Sequence, residues 1–156
     1  SLTPKVRKGD IVVGTSYCQH DYDLTGLFAH YKIGQMMEKN YVLEEVPPEL
    51  IKDLPTGDNI HFGTILSGDR FIDRAIEIDH CKPLAVEMES AAISHICYYL
   101  YKIPFMAVRS ITDSADENAH EQWLTTHAEL SHIAAQYSKE VIKTLYQSGF
   151  VWERQE

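Results

Sequence analysis

Leu84-Ala85-Val86-Glu87-Met88-Glu89-Ser90-Ala91-Ala92 opens as a strand and turns into a helix, and Pro104-Phe105-Met106-Ala107-Val108 returns as a strand. Ala92, Ile96, Tyr99 and Leu100 recur at helical spacing, which predicts an amphipathic helix over residues 89–102. Pro104 has no amide hydrogen to continue it. The unbroken apolar run Phe105 to Val108 is the type found in strands buried on both faces of a parallel sheet. Strand, helix and strand in succession are the unit from which α/β folds are built.

The same alternation extends outward in both directions. Asp10 to Tyr17 is β-rich and follows the turn-forming Lys8-Gly9. Pro47-Pro48 introduces a short helix over Glu49 to Leu54, and His61 to Leu66 is a second strand that ends in the turn Ser67-Gly68-Asp69-Arg70. Asp73 to Ile78 is expected to be a short helix. Leu130, Ala134, Tyr137, Val141 and Leu145 mark one face of a long last helix that Gly149 closes. The chain is thus predicted to form one α/β domain, residues 1–156, around a mixed, mostly parallel sheet. Residues 24–46 carry the weakest pattern, and Phe28-Ala29-His30-Tyr31-Lys32 and Gln35-Met36-Met37 suit either an interface or an insertion loop.

Bulk properties narrow the function. The chain has 156 residues, 44% of them apolar and 24% charged, which is the composition of an ordinary globular protein. Its formal charge of −9 disfavours a nucleic-acid partner, the densest basic cluster being only Lys5 to Lys8. No apolar run reaches the roughly 20 residues of a bilayer span, and Ser1 to Lys5 lacks the apolar core of a secretory signal, so a membrane partner is not expected and the cytoplasm is. Cys18, Cys81 and Cys97 are odd in number and widely spaced, which argues for a reducing compartment and against a thiolate metal site. His127 and His132, five apart, fall on different helix faces, and His20-Asp21-Tyr22-Asp23 is the most ligand-like cluster, although a polar loop with turn-capping carboxylates accounts for it.

Ligands of open α/β sheets bind beyond the carboxyl ends of the strands. Two acidic clusters fall there, Glu87-Met88-Glu89 and Thr112-Asp113-Ser114-Ala115-Asp116, and adjacent strands would deliver both to one crevice. Acids at helix starts also have a plain structural use. Glu89 could favour a helix N-terminus, and Asp113 could cap the next segment.

Those residues also carry a resemblance. Ala85 to Ala92 followed by Val108 to Asp116 resembles the signature pair of the purine nucleoside phosphorylase and methylthioadenosine nucleosidase superfamily. Val6 to Val13 is similar to the strand after that family's glycine-rich turn, and Ser67 to Ile72 to its base-binding loop. Thr112-Asp113-Ser114-Ala115-Asp116 is closer to the methylthioadenosine/S-adenosylhomocysteine nucleosidases than to the hexameric phosphorylases, with Thr112 where serine is more usual. The resemblance implies a three-layer nucleoside phosphorylase-like fold, represented here by its C-terminal two-thirds.

The resemblance also implies roles. Adenine leaves poorly as an anion, so its N7 must be protonated by a carboxylic acid that partial burial keeps protonated; Asp113 is implied as that acid and Thr112 as the residue orienting it. Glu89 would hold the ribose hydroxyls as the sugar becomes oxocarbenium-like. Met88 would pack its thioether on the ribose face, Phe71 would stack on adenine and the Ile72 backbone would read its edge. Arg109 would pair with carboxylates such as Glu87 and keep the clustered acids ionised. No metal or organic cofactor is needed, the partner is a small nucleoside, and a homodimer is implied, with Phe28, Tyr31 and Met36 reaching toward the neighbouring pocket. The family activates its water with a glutamate near its own N-terminus that nothing here matches, so the chain is expected to hold the acid and the ribose clamp without that base. Hydrolysis of methylthioadenosine and S-adenosylhomocysteine is the leading expectation. A phosphate-dependent phosphorylase and a non-catalytic nucleoside-binding fragment are the alternatives.

Overall fold

The computed structural model describes residues 1–35, 44–74 and 76–151. Its elements are β1 (Ile11–Gln19), β2 (Glu44–Glu45), α1 (Pro48–Ile51), β3 (Ile60–Ser67), β4 (Ala85–Glu87), α2 (Ser90–His95), a π-helical continuation of α2 (Ile96–Tyr101), β5 (Val108–Ser110) and α3 (Ala119–Gln147). The sheet is mixed. β3 lies parallel to β1 along its whole length and β4 parallel to β3, while β2 and β5 pair antiparallel with successive parts of the other edge of β1.

Alternation along β1 creates the layers. Ile11 and Val13 face α3 and pack with Tyr137 and Val141, whereas Val12 faces the other way into a cluster with Leu50 and Ala91 of α1 and α2. Helices therefore cover both faces of the sheet, the three-layer arrangement expected. One extra residue enters β1 between Gly14 and Ser16, a bulge that shifts the alternation and returns Tyr17 to the face of Val12. Gly14 is required there, since a Cβ would stand 2.5 Å from the Tyr17 ring.

Three sequence expectations need correction. The run Phe105 to Val108 is not a parallel strand: the strand is Val108–Ser110 and antiparallel to β1. Tyr17 accounts for the shift, because its ring packs on Phe105 at 5.2 Å and its hydroxyl takes the Ala107 amide at 2.7 Å. No helix forms among the described residues of 73–78. Ile78 is buried in a cluster with Cys18 and Leu66, and Ile76, two residues earlier, packs against the same cluster, an arrangement that suits extended chain and not a helix.

The third correction concerns the helix after β4. α2 buries Ser90, Ala91 and Ser94, and the face bearing Ala92, Ile96 and Leu100 lies outward, with Leu100 69% exposed. Small residues let the backbone of α2 approach the sheet closely, so the large apolar side chains had to turn away from it. Lys102 then adopts a left-handed conformation (φ 54°), the Ile103 amide bonds back to the Cys97 carbonyl at 3.0 Å, and the helix stops before Pro104. β1, β3 and β4 fall within two residues of their expected limits, whereas α1 ends at Ile51, three residues short of the expected Leu54. α3 buries Leu130, Tyr137 and Val141 on the expected stripe, and Gly149 (φ 68°) follows its end. Phe28 and Tyr31 lie in an irregular stretch with ring centroids 5.3 Å apart, while Met36 lies outside the described residues. Among the described residues no helix is long and apolar enough to cross a membrane.

Candidate active site

β4 ends at Glu87, and the first amides of α2 need acceptors that the helix cannot supply. Glu87 supplies them. Its carboxylate accepts the Ser90 amide at 2.9 and 3.0 Å, the Ser90 hydroxyl at 2.9 Å and the Glu89 amide at 3.2 Å. Ser67, fully buried at the end of β3, donates its hydroxyl to Glu87 and accepts the Ala91 amide at 2.8 Å. Glu89 occupies the capping position but makes no side-chain bond to the helix, so the structural use expected of Glu89 belongs to Glu87.

Arg109 of β5 completes the cluster. Its guanidinium hydrogen-bonds Glu87, and the same nitrogen reaches Glu89 at 2.9 Å and the Ser90 hydroxyl at 3.1 Å. β4 and β5 are not adjacent, since β3 and β1 separate them in the sheet, and the long arginine side chain joins what neighbouring strands were expected to join. Burial pushes the Glu87 carboxyl up, but the Ser67 hydroxyl, the Arg109 guanidinium and the Ser90 bonds outweigh it and hold the group below the ordinary glutamate range. The two glutamates differ in exposure: the Glu87 side chain is 12% exposed and that of Glu89 57%.

Asp113 lies in the turn that follows β5. Thr112 donates its hydroxyl to Oδ2 at 2.7 Å, and the Ala115 amide donates to Oδ1 at 2.9 Å. Asp113 is therefore not the cap of α3, whose capping position is Asn118, five residues on. Ala115 closes the turn with a positive φ of 48°, a conformation that alanine adopts at a cost. The hydroxyl of Thr126 in α3 bonds to the Thr112 carbonyl at 3.2 Å and ties the turn to that helix.

One cavity of about 520 Å³ is lined by Glu87, Met88, Glu89, Arg109, Thr112 and Asp113, and by Phe71 and Ile72 from the loop after β3. The eight residues that the resemblance assigns to the nucleoside site thus line one cavity. Phe71 is half exposed and stands edge-on to His120 of α3 at 6.1 Å. Sequence reading missed four residues here. Ser67 and Ser90 hold the glutamate, and Trp123 and His127, stacked at 4.5 Å, form the α3 wall. A serine ending an apolar buried strand was a usable signal for the first. An aromatic and a histidine four apart on one helical face were a usable signal for the last two. Among the described residues no three His, Cys, Asp or Glu side chains converge as metal ligands would.

The fold agrees with what similarity to known proteins shows. A family model described as the phosphorylase superfamily matches residues 1–147, and the chain belongs to that superfamily. The 5′-methylthioadenosine/S-adenosylhomocysteine nucleosidase of Haemophilus ducreyi is 34% identical over 150 residues, covering 90% of this chain and 62% of the relative. The nucleosidase of the same name from an Exiguobacterium species is 39% identical over 126 residues, 74% of this chain and 52% of its own length. A solved structure of the Streptococcus pneumoniae (S. pneumoniae) nucleosidase with the transition-state inhibitor MT-ImmA superposes with a TM-score of 0.81 at 26% identity, covering 93% of this chain and 66% of that one. The chain therefore spans between about half and two-thirds of the length of these relatives.

Proposed function

We propose that the protein hydrolyses the N-ribosidic bond of 5′-methylthioadenosine and S-adenosylhomocysteine and releases adenine. The observation that carries this reading is Asp113, oriented by Thr112, on one side of a cavity whose other side holds Glu89 and Arg109. Asp113 as a carboxylic acid protonates adenine N7, so that the base departs neutral as the C1′–N9 bond breaks. The ribose then carries positive charge, and Glu89 binds its hydroxyls and favours that charge. Water adds its oxygen to C1′ and releases a proton that restores the acid form of Asp113, leaving adenine and the free sugar as products. Met88 packs on the ribose, Phe71 stacks on the base and the Ile72 backbone reads its edge. Arg109 keeps Glu87 ionised and pairs with Glu89 beside it.

The relatives' names support this substrate class, and an assay separates it from phosphorolysis. Adenine release from methylthioadenosine should be indifferent to phosphate; a strict requirement for phosphate, with a sugar 1-phosphate product, would move the protein to the phosphorylases. The free cysteines Cys18, Cys81 and Cys97 suit a reducing, cytoplasmic setting. A homodimer fits the aromatic cluster at Phe28, His30 and Tyr31 and the outward apolar residues Ile96 and Leu100. Sedimentation of active protein as a monomer at micromolar concentration would overturn the dimer.

A further inference from the structure

The polar cluster at the end of β1 takes no part in the chemistry above, yet its side chains are spent on one target. The His20 amide donates to the Ser67 carbonyl at 2.9 Å and carries the β1–β3 pairing one residue beyond the strand. Asp21 accepts the Asp69 amide on Oδ2 at 2.6 Å, and Gln19 holds the other oxygen through its side-chain amide at 2.7 Å. The His20 ring lies on Gly68 so closely that a Cβ there would stand 2.2 Å from Nε2. Gly68 lies outside the left-handed region, so glycine is needed at that position for space and not for conformation. From the opposite side the Gly68 amide donates to the Glu87 carbonyl at 3.2 Å. Residues 67–69 are thus gripped between the end of β1 and β4, immediately before Phe71 and Ile72 enter the cavity.

We propose that Asp21 is a positioning residue that sets the Ser67–Ile72 loop, with the His20 ring as the surface that Gly68 must clear, and that through this loop it sets the contacts of Phe71 and Ile72 with the purine. The inference rests on the nucleosidase reading for its substrate and on the loop geometry for everything else. The Asp21 carboxyl is suited to the task. Its slight burial pushes it up, but the Asp69 amide, the Gln19 amide and nearby His20 bring it below the ordinary aspartate range, so it is a charged acceptor near neutral pH. A loop set this way governs how well the base is held and leaves Asp113 and Glu89 where they are. The effect belongs in KM and not in kcat.

Two readouts test it. In steady-state assays of adenine release from methylthioadenosine, Asp21→Ala should raise KM about tenfold with kcat within about twofold. Asp21→Asn should restore KM, because its oxygen can serve the Asp69 amide while its NH₂ group faces Gln19 with that amide turned over. Gly68→Ala should raise KM similarly by collision with His20, and adding His20→Ala should bring it back. Hydrogen exchange of the Asp69 amide gives the second readout, slow in the unaltered protein and in Asp21→Asn, and about tenfold faster in Asp21→Ala. An unchanged KM in Asp21→Ala with the Asp69 amide exposed, or equal behaviour of the Ala and Asn variants, would overturn the proposal. If Asp21→Ala does not fold, the Gly68→Ala and His20→Ala pair decides, and a double variant no better than Gly68→Ala overturns it. If the unaltered chain releases no adenine, as the unmatched water-activating glutamate predicts, the Kd of methylthioadenosine takes the place of KM; no binding would sink the nucleosidase reading, and the Asp69 exchange rates would then decide the grip on the loop by themselves.

Discussion

The two sides of the cavity hold their acids in opposite ways. On the β4–α2 side, Glu87 is gripped by Ser67 from β3, Ser90 from α2 and Arg109 from β5. On the other side, the hydrogen bonds to the Asp113 carboxylate come from Thr112 and Ala115, within its own turn. An acid tied to three separate elements is part of the scaffold, and changing it disturbs strands and helix together. An acid held by its sequence neighbours can be altered with little effect on the sheet. The difference distinguishes the carboxylate that holds the scaffold from the one we propose for the chemistry, by the sequence distance of their partners.

The sharpest way to break this comparison is at Asp113. Asp113→Asn keeps the shape of the turn and should lower kcat by about 10²-fold or more, the usual range for loss of a general acid. Substrate affinity and melting temperature should stay close to unaltered values, and an active Asn variant would end the chemical assignment. Glu87→Ala should show the reverse pattern, measured first by calorimetry. Removing one partner of a buried ion pair commonly costs about 3–5 kcal/mol. Arg109 is 35% exposed and retains Glu89, so we expect roughly 2 kcal/mol, or a fall of about 6 °C in melting temperature. Glu89→Gln, two residues away, should leave melting unchanged and lower kcat/KM about tenfold. Equal thermal losses in the two glutamate variants would erase the distinction.

A titration sharpens the same contrast. The folded state holds Glu87 below its unfolded range, so its contribution to stability is present above the ordinary glutamate value and is lost as pH falls through the lower, folded value. Acid unfolding followed by circular dichroism should therefore be steeper in the unaltered protein than in Glu87→Ala, and parallel acid limbs would contradict this. The smallest effect is expected at Thr112. Thr112→Val preserves volume and removes the hydroxyl on Asp113, and kcat should fall a few-fold with stability nearly constant.

Much of the site is legible in the sequence because its signals are local. The strands Ile11–Gln19 and Ile60–Ser67 follow from β-rich runs, the first opened by the turn at Gly9 and the second closed by the turn at Gly68, and the acids sit at or just after strand ends. What the sequence hid depends on distant partners. Tyr17 captures the Ala107 amide ninety residues away and moves the last strand toward Ser110. The helix after β4 shows a clear apolar stripe, but periodicity reports only that a face exists. Ser90, Ala91 and Ser94 took the sheet because close approach favoured small residues over large ones. The capping duty of Glu87 in place of Glu89 was likewise invisible, since it depends on where Ser67 ends in space.

Because Glu87 alone of the paired glutamates secures the start of α2, its neighbours in the chain are released from duty to the fold. Met88 and Glu89 both line the cavity and both are about half exposed. A lineage, or a designer, could therefore vary these two positions to fit a different sugar while the protein went on folding as before. The glutamate in between strand and helix acts as a fixed hinge pin for an adaptable surface, and new specificities can be sampled there without first acquiring extra stability.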